Sequence, residues 1–318
     1  MRHGASAIVI AAAAAAAAGC GDDAGAVERW RTLRDATIAR TEVAAARIGD
    51  GAYVVGGFAG PDGATTAVVE RYDLRLNRWA RVAPLPRPVN HAAAAGYRGD
   101  VYVVGGYTAR NGLGQETNAL WRYDPVADRW TRLPDAPTAR GALAAGVIGD
   151  RLYVAGGAAG GQALDRLEIY DFRTERWSRG PAMRTAREHL AATVHGGALY
   201  VLAGRASGRG NFAVAERYGP ARRRWERLPA MRKPRGGIAA ATVGGRIVVT
   251  GGEEAAGTIS QVESYAPRRR RWRFEPPLPT SRHGLAAVSY RGSIVVLEGG
   301  PTPGLSFSDA TEALTIRG

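Results

Sequence analysis

The chain has 318 residues, of which 45% are hydrophobic and 23% are charged. This balance supports a folded protein with a substantial core and argues against a disordered chain, a collagen or a multispan membrane protein. The 43 lysines and arginines outweigh the 29 aspartates and glutamates, giving a net charge of +14, and Lys233 is the only lysine. The arginines recur along the whole chain and accompany no DNA- or RNA-reading motif, so we expect no nucleic-acid partner.

The first segment resembles an export signal. A basic start precedes the small and apolar run at residues 5–18, which is too short to span a bilayer. Cys20 then follows Ala17-Ala18-Gly19, which is similar to the bacterial lipobox, although Ala17 stands where that motif usually has leucine. We predict a signal peptide at residues 1–20, lipidation at Cys20, a tether at 21–26 and one domain at 27–318.

These features predict an exported protein in the periplasm or on the cell surface, in contact with the membrane only through its lipid anchor. Ordinary cleavage near Cys20, which would release a secreted protein, is the alternative. Cys20 is the only cysteine, so the domain itself has no thiol for a disulfide or a thiolate metal site.

Three residue types repeat along the chain at a nearly constant interval. A tryptophan recurs at one position of each repeat, at Trp30, Trp79, Trp130, Trp177, Trp225 and Trp272. A tyrosine lies seven positions before five of them, at Tyr72, Tyr123, Tyr170, Tyr218 and Tyr265. Glycine pairs precede the tyrosines, at Gly56-Gly57, Gly105-Gly106, Gly156-Gly157, Gly251-Gly252 and Gly299-Gly300, and Gly204-Arg205 fills the remaining slot as if the second glycine were lost.

The Gly-Gly pair, the Tyr-Asp of Tyr72-Asp73 and the later tryptophan together resemble the Kelch repeat, over residues 27–317. The resemblance implies an all-β fold, a Kelch β-propeller with four antiparallel strands in each blade. Each unit begins with a small apolar strand such as residues 91–95 and continues with a β-branched strand such as 101–104. A Tyr-Asp strand and an outer tryptophan strand follow.

The order of the repeats predicts how the ring closes. The chain opens on an outer strand near Trp30 and ends on a third strand at residues 312–316, with no tryptophan after it. We therefore predict a six-bladed propeller in which the N-terminal strand completes the last blade.

One face of the ring is predicted to carry the function. The loops between second and third strands vary in length and share a face with the links between blades, and loops on a rigid scaffold are common binding sites. Arginines precede five inner strands, at Arg40, Arg140, Arg187, Arg235 and Arg282, while Arg87 and Asn90-His91 stand before the second blade's inner strand. These residues are predicted either to bind an anionic ligand around the channel mouth or to lock turns by bonding loop carbonyls.

Histidines lie near three of the same links. His91, His189 and His283 each precede a glycine of the motif, but at three different offsets, and unequal offsets imply unequal heights and directions. We therefore expect hydrogen-bonding residues near the channel mouth, with no metal and no cofactor.

The arginine runs at residues 222–224 and 268–271 lie in hairpins of the opposite face. They are predicted to be solvated turns or, as an alternative, to contact anionic lipid head groups or polysaccharide.

The leading functional hypothesis is a monomeric, non-catalytic binding module for a protein, peptide or glycan partner of acidic character. The alternative is an enzyme acting on an anionic sugar, because periplasmic sialic acid mutarotases are similar six-bladed Kelch proteins. Under that alternative Glu188 or Glu116 would carry protons. The copper chemistry of galactose oxidases, which share the Kelch propeller, is excluded because the predicted domain at 27–318 has no cysteine to cross-link to a tyrosine. The iron-binding Glu, Asp and His set of nitrile-forming Kelch proteins is also missing from the sequence.

Overall fold

The computed structural model describes Met1 and residues 29–317. Cys20, the tether at 21–26 and the predicted leader after Met1 fall outside the described residues. Within the described part, the chain is built from β-strands and one 3-10 helix at Pro220–Arg222. No helix there is long and apolar enough to cross a membrane.

The described residues form six antiparallel sheets of four or five strands, one for each predicted blade, and three smaller sheets of short strands. The first, innermost strands are Ala44–Ile48, Ala93–Tyr97, Ala144–Ile148, Ala191–His195, Gly236–Val243 and Ala286–Tyr290. The second strands are Gly51–Val55, Asp100–Val104, Arg151–Ala155, Ala198–Leu202, Arg246–Glu254 and Ser293–Leu297. The third strands are Val69–Asp73, Leu120–Asp124, Leu167–Asp171, Ala215–Gly219, Val262–Ala266 and Thr311–Thr315.

The outer strands confirm the predicted closure. They are Arg78–Val82, Arg129–Leu133, Arg176–Arg179, Arg224–Arg227, Arg271–Glu275 and, for the sixth blade, Trp30–Thr32. The last of these pairs with the C-terminal strand, with Trp30 opposite Leu314 and Thr32 opposite Glu312. The first and last strands of the described residues therefore share one blade.

Short strands extend some blades toward one face. They are Arg40–Thr41, Phe58–Ala59, Ala64–Thr65, Ala158–Ala159, Gln162–Ala163, Arg205–Ala206, Gly210–Asn211 and Gly257–Thr258. Most of them belong to the loops between second and third strands, so these loops are partly ordered by backbone pairing.

The inner strands contact one another around the axis, each with its two neighbours. Their small residues permit this close approach. A Cβ atom on Gly96 would lie 2.6 Å from the Ile48 side chain and 2.7 Å from the Arg47 carbonyl, so no larger residue fits without a shift. The second strands are enclosed on both sides and are accordingly rich in β-branched residues.

The tyrosine and tryptophan repeats connect the blades. Tyr72 lies directly opposite Trp79 in the hairpin of the third and outer strands, which explains the constant offset between the two residue types. Each of the six indole N–H groups at the repeated tryptophan position donates to a carbonyl near the end of the preceding outer strand: Trp30 to Pro276, Trp79 to Arg34, Trp130 to Ala83, Trp177 to Pro134, Trp225 to Pro181 and Trp272 to Pro229. The tryptophans thus bond each blade to its neighbour around the whole ring.

The structure corrects the alignment of two glycine pairs. The second position of the motif has φ near +100° and is Gly57, Gly106, Gly157, Gly204, Gly252 and Gly299. The first position has φ of +49° in Ala203 and +54° in Glu298, a left-handed conformation that other residues adopt at a cost. The fourth repeat has therefore lost its first glycine and not its second, and the sixth pair is Glu298-Gly299 and not Gly299-Gly300.

Candidate functional site

The links between blades meet the second-to-third loops on one face of the propeller, as predicted. Asn90 of a link forms a β-bridge with Tyr107 of a loop, and Glu188 forms one with Arg205. We call this side the loop-rich face.

A closed belt of backbone hydrogen bonds surrounds the axis on this face. Its six members, one at or just before the start of each inner strand, are Glu42, His91, Ala142, His189, Gly237 and Gly284. From His91 onward, each backbone N–H donates to the carbonyl of the preceding member over 2.9 to 3.1 Å, and Val43 N–H completes the circle by donating to Gly284 at 3.2 Å. All six have φ between +50° and +69°, so one unusual backbone turn is repeated around the mouth.

The predicted arginine ring is not on this surface. At most 1% of Arg40, Arg140, Arg187, Arg235 or Arg282 is exposed. Each guanidinium pairs with a buried glutamate of its own third strand: Arg40–Glu70 at 3.0 Å, Arg140–Glu168 at 2.5 Å, Arg187–Glu216 at 2.5 Å, Arg235–Glu263 at 2.7 Å and Arg282–Glu312 at 2.6 Å.

These arginines also bond backbone carbonyls of their own blades. Arg187, for example, donates to the Val201 carbonyl at 3.1 Å, and Arg282 donates to the Glu298 carbonyl at 2.9 Å. The expectation that these arginines bind a ligand is therefore wrong. The alternative, that they fix turns by hydrogen-bonding backbone carbonyls, describes the structure. The physical reason is that each glutamate, taken out of water, requires a cationic partner nearby.

The second blade breaks the pattern at both positions of the pair. Val89 stands where the other blades have arginine, and Trp121 stands where they have glutamate. Arg87, two positions ahead of Val89, is exposed and does not occupy the buried slot. In all six blades, charge is therefore either present at both positions or absent from both.

The four polar residues predicted at the mouth do come together. His91 and His189 face each other across the axis, with their Nε2 atoms 2.9 Å apart. Asn90 Oδ1 lies 2.6 Å from His91 Nδ1. His283 Nδ1 lies 3.2 Å from Oε1 of Glu42, whose Oε2 is 3.1 Å from His91 Nε2. We call Glu42, His91, His189 and His283 the axial cluster.

The unequal histidine offsets in the sequence came from the misplaced glycine. Counted to the first position of the motif, His91 precedes Gly105 by the same interval as His189 precedes Ala203. The two histidines are therefore equivalent members of the belt. His283 lies immediately before the belt member Gly284 and reaches the cluster from the side.

The charges of the cluster interact strongly. Burial alone would raise the pKa of Glu42, but the His91, His283 and His189 side chains outweigh it and hold that pKa well below its usual range. Burial lowers the pKa of His91. Burial also lowers the pKa of His189, and the nearby His91 side chain lowers it further. Burial opposes the charged form of His283, but the Glu42 and Glu253 carboxylates raise its pKa.

A cavity of about 370 Å³ opens beside the cluster among the second-to-third loops of blades two to four. Its polar lining is Tyr107, Glu116, Glu188, His189, Arg205 and Ser207. Both glutamates named from the sequence as proton carriers thus face one cavity. We call it the loop cavity.

The polar groups of the loop cavity are partly committed to one another. Arg205 pairs with Glu188 at 3.1 Å and with Glu253 at 2.6 Å. Glu116 accepts a hydrogen bond from the Gly160 N–H at 3.0 Å. Among the described residues, the Tyr107 hydroxyl bonds only the Ala158 carbonyl, at 3.5 Å. Burial raises the pKa of Tyr107 to about 12, so this hydroxyl remains a donor at neutral pH.

Sequence reasoning missed Glu42, Tyr107, Arg205 and Glu253. Glu42 had a detectable signal, since it precedes Gly56 by the same interval as His91 precedes Gly105. Arg205 directly follows the second glycine of its motif and also had a fixed place. Tyr107 has the equivalent position in blade two, so aligning the residues after the glycines would have found both.

The opposite face carries the arginine runs. Residues 222–224 and 268–271 are exposed, as predicted. A cavity of about 430 Å³ lies on this side and is lined in part by Arg246, Arg268, Arg269 and Arg273.

Comparison with known proteins agrees with this architecture. A family model described as the KLHDC2/KLHL20/DRC7 Kelch-repeats domain matches residues 42–234. The chain belongs to the Kelch-repeat family. A second model, the Kelch motif, matches residues 234–279, so Kelch matches extend across most of the propeller.

The relatives are similar over part of their length. Kelch-like protein terF of Aspergillus terreus is 38% identical over 146 residues, which cover 41% of this chain and 31% of that protein. Beta-scruin of Limulus polyphemus is 30% identical over a segment that covers 42% of this chain and 15% of that protein. Mouse Kelch-like protein 35 is 39% identical over a segment that covers 33% of this chain and 17% of that protein. The matched segments thus span less than a third of each of these relatives.

A solved structure shares this fold. The structure of YjhT aligns with a TM-score of 0.73 and covers 87% of this chain and 96% of that chain. Its sequence identity is 15%, so the likeness shows the fold.

Proposed function

We propose that this Kelch protein is a binding module that recognises a glycan through the loop-rich face, with the loop cavity as its centre. The observation that carries the proposal is the convergence of Tyr107, Glu116, Glu188 and Arg205 in that cavity. The leader-like sequence ending at Cys20 supports the further proposal that the module is displayed on the cell envelope.

The size of the cavity suits a small group. Ligand sites in proteins commonly have volumes of roughly 300 to 1,000 Å³, and this one has about 370 Å³. That space matches one or two sugar units or the end of a peptide better than a flat protein surface.

The chemistry of the lining favours hydroxyl groups over anions. Glu116 and Glu188 contribute two carboxylates, and the single arginine is already paired with two glutamates. Carboxylates accept hydrogen bonds from sugar hydroxyls, and the Tyr107 hydroxyl can donate one in return. The acidic partner predicted from the sequence loses its main support, because the five arginines behind that prediction are buried and neutralised.

A thermal-shift screen tests the proposal. We expect the full chain to be stabilised by a neutral glycan, since free ligand at about 100 times its dissociation constant adds roughly 2.7 kcal/mol. Glu116→Gln keeps the acceptor for the Gly160 N–H and removes the charge, so it should weaken binding about tenfold or more. Tyr107→Phe should weaken it about two- to tenfold.

Val126→Ser provides the matched control, because Val126 is 97% exposed in a hairpin of the opposite face of blade two. This variant should bind like the wild type. Stabilisation by acidic peptides alone, or equal loss of binding in the control, would contradict the proposal.

A second candidate function is an enzyme acting on an anionic sugar, in the manner expected of a mutarotase-like epimerase. It is favoured by one observation, the presence of both Glu116 and Glu188 in the loop cavity. The enzyme would speed the exchange of sugar anomers, which NMR measures directly, and Glu116→Gln or Glu188→Gln would abolish the effect. Unchanged exchange rates with a sialic acid that binds would exclude this candidate.

A further inference from the structure

The axial cluster brings three ligand atoms from three different links to one point. Glu42, His91 and His189 each offer one atom, and these atoms lie within 4.8 Å of one another. The belt fixes the backbone of all three in the same left-handed turn. This is a rigid arrangement, because each backbone is bonded to its neighbours around the ring.

The hydrogen atoms of His91 can be assigned from its neighbours. The Thr65 hydroxyl donates its hydrogen to the Ala109 carbonyl at 2.5 Å and must therefore accept from the Asn90 amide, 2.8 Å away. Asn90 consequently turns its carbonyl oxygen toward His91. The proton of a neutral His91 is thus on Nδ1, and its Nε2 carries a lone pair.

His189 reaches the same state by another route. Its Nδ1 contacts the Glu188 carboxylate, which only accepts hydrogen bonds when ionised. The Nε2 atoms of His91 and His189 therefore face each other as two acceptors 2.9 Å apart, with the Glu42 carboxylate as a third acceptor 3.1 Å from His91 Nε2. Neutral side chains supply no hydrogen to this contact, and a cation between the three atoms would satisfy all of them.

The distances indicate the type of cation. Bonds of about 2.1 Å to adjacent corners of an octahedron separate two ligand atoms by roughly 3.0 Å, whereas a tetrahedral zinc site separates them by roughly 3.3 Å. The two pairs that include His91, at 2.9 Å and 3.1 Å, match the octahedral spacing, and all three atoms lie within 4.8 Å of one another. Two histidines and one carboxylate are a ligand set that suits divalent iron and its neighbours in the first transition row.

The surroundings meet the other needs of such a site. Asn90 and Glu188 hold the two Nδ1–H groups, as outer partners of metal-bound histidines do. His283 donates from Nε2 to the Thr302 carbonyl and faces Glu42 Oε1 with Nδ1, which orients the carboxylate. A cavity of about 90 Å³ at the axis leaves room for water or a ligand atom at the remaining positions.

We propose that Glu42, His91 and His189 bind one divalent transition-metal ion in octahedral coordination at the channel mouth. The site is distinct from the proposed glycan contacts of Tyr107 and Glu116, and it goes beyond the proposed function. His189 lines both the axial and the loop cavities, so a bound ion would have open positions near the ligand.

The test measures metal binding by the full chain. After treatment with a chelator, the protein is titrated with Co²⁺, and the bound ion is followed by visible absorption and by proton NMR. We expect one ion per chain and two exchangeable, paramagnetically shifted imidazole N–H signals, because both histidines keep their Nδ1 hydrogen when Nε2 coordinates.

Variants identify the ligands. His91→Gln and His189→Gln should each remove one shifted signal and weaken Co²⁺ binding at least tenfold, and Glu42→Gln should weaken it while both signals remain. His195→Gln is the matched control, because His195 ends an inner strand toward the opposite face, and it should bind as the wild type does.

The proposal would be overturned if folded wild-type protein bound none of the ions Co²⁺, Mn²⁺ and Zn²⁺. Binding without the two shifted signals, or binding unchanged in the histidine variants, would also overturn it. If a histidine variant does not fold, the signals of the wild type alone decide. The glycan screen uses metal-free protein and the Glu116 and Tyr107 variants, so failure of either proposal leaves the other testable.

Discussion

At the scale of single residues, a glutamate in the third strand of five blades is enclosed in the protein, and its charge is matched by one arginine. Removing one partner of such a buried pair commonly costs about 3–5 kcal/mol, whereas apolar replacement of both is often tolerated. The second blade has made that replacement, with Val89 and Trp121 in the two positions. The chain therefore contains both solutions to the same packing problem.

The third blade provides a direct test of this idea. Arg140→Val should lower the free energy of unfolding by about 3–5 kcal/mol, because it leaves Glu168 charged and buried. Arg140→Val combined with Glu168→Trp copies the second blade and should be less destabilised than Arg140→Val alone. Urea unfolding of the wild type, both single variants and the double variant gives the coupling energy. Additive losses would show that the residues do not act as a pair.

Glu298 is a second buried charge, and it is poorly compensated. It occupies a glycine position, shares Arg40 with Glu70, and its Oε2 has no hydrogen-bond partner among the described residues. Burial raises the pKa of Glu298 to about 7. The folded protein therefore binds a proton that the unfolded chain releases near its ordinary value, so this group favours folding at low pH and loses that contribution as pH rises through 7.

Glu298→Gln should remove the loss of folding stability that accompanies rising pH. Relative to the wild type, the variant should gain up to roughly 3 kcal/mol of stability between pH 5 and pH 8, since one pKa unit corresponds to about 1.4 kcal/mol. Urea unfolding at the two pH values measures the difference, with the exposed Glu175→Gln as the control. A variant whose stability parallels that of the wild type at both pH values would show that Glu298 does not titrate in this range.

At the scale of elements, the six tryptophan strands work as connectors. The strand Trp30–Thr32 pairs with the last third strand, and the Trp30 indole donates to the Pro276 carbonyl at 2.9 Å. This strand belongs to the sixth blade although it begins the propeller in sequence. Closure thus depends on contacts between residues from opposite ends of the described chain.

Deleting residues 27–34 should destabilise every blade, because the ring loses its closing strand and exposes the edge of Thr311–Thr315. The expected result is a broad thermal transition at a lower temperature, measured by circular dichroism. Deletion of residues 21–26 alone is the control. If the longer deletion melts like the full chain, the N-terminal strand does not close the ring.

Repeat spacing was sufficient to predict the elements because it reports backbone pairing. The Tyr72 and Trp79 offset reflects a cross-strand pair, and the second glycine of each motif reflects a backbone angle that other residues avoid. The same spacing could not show where side chains point. Arg187 and His189 are two positions apart in one link, yet the first is buried against Glu216 and the second lies at the axis.

At the scale of the whole molecule, the propeller divides its chemistry between two faces. The loop-rich face holds the axial cluster and the loop cavity, with carboxylates and histidines close to neutralising partners. The opposite face holds the exposed arginine runs of residues 222–224 and 268–271. The six blades form one closed ring, which the strand Trp30–Thr32 completes by pairing with Thr311–Thr315.

Recognition through the loop-rich face is tested most directly by hydrogen–deuterium exchange of the full chain with and without the glycan that stabilises it best. We expect slower exchange in the loops at residues 107–118, 158–163 and 205–211, which surround the loop cavity, and no change in the hairpins of the other face. Protection of the hairpins at 220–224 and 268–271, with the loops unchanged, would contradict it and place recognition on the arginine-rich side.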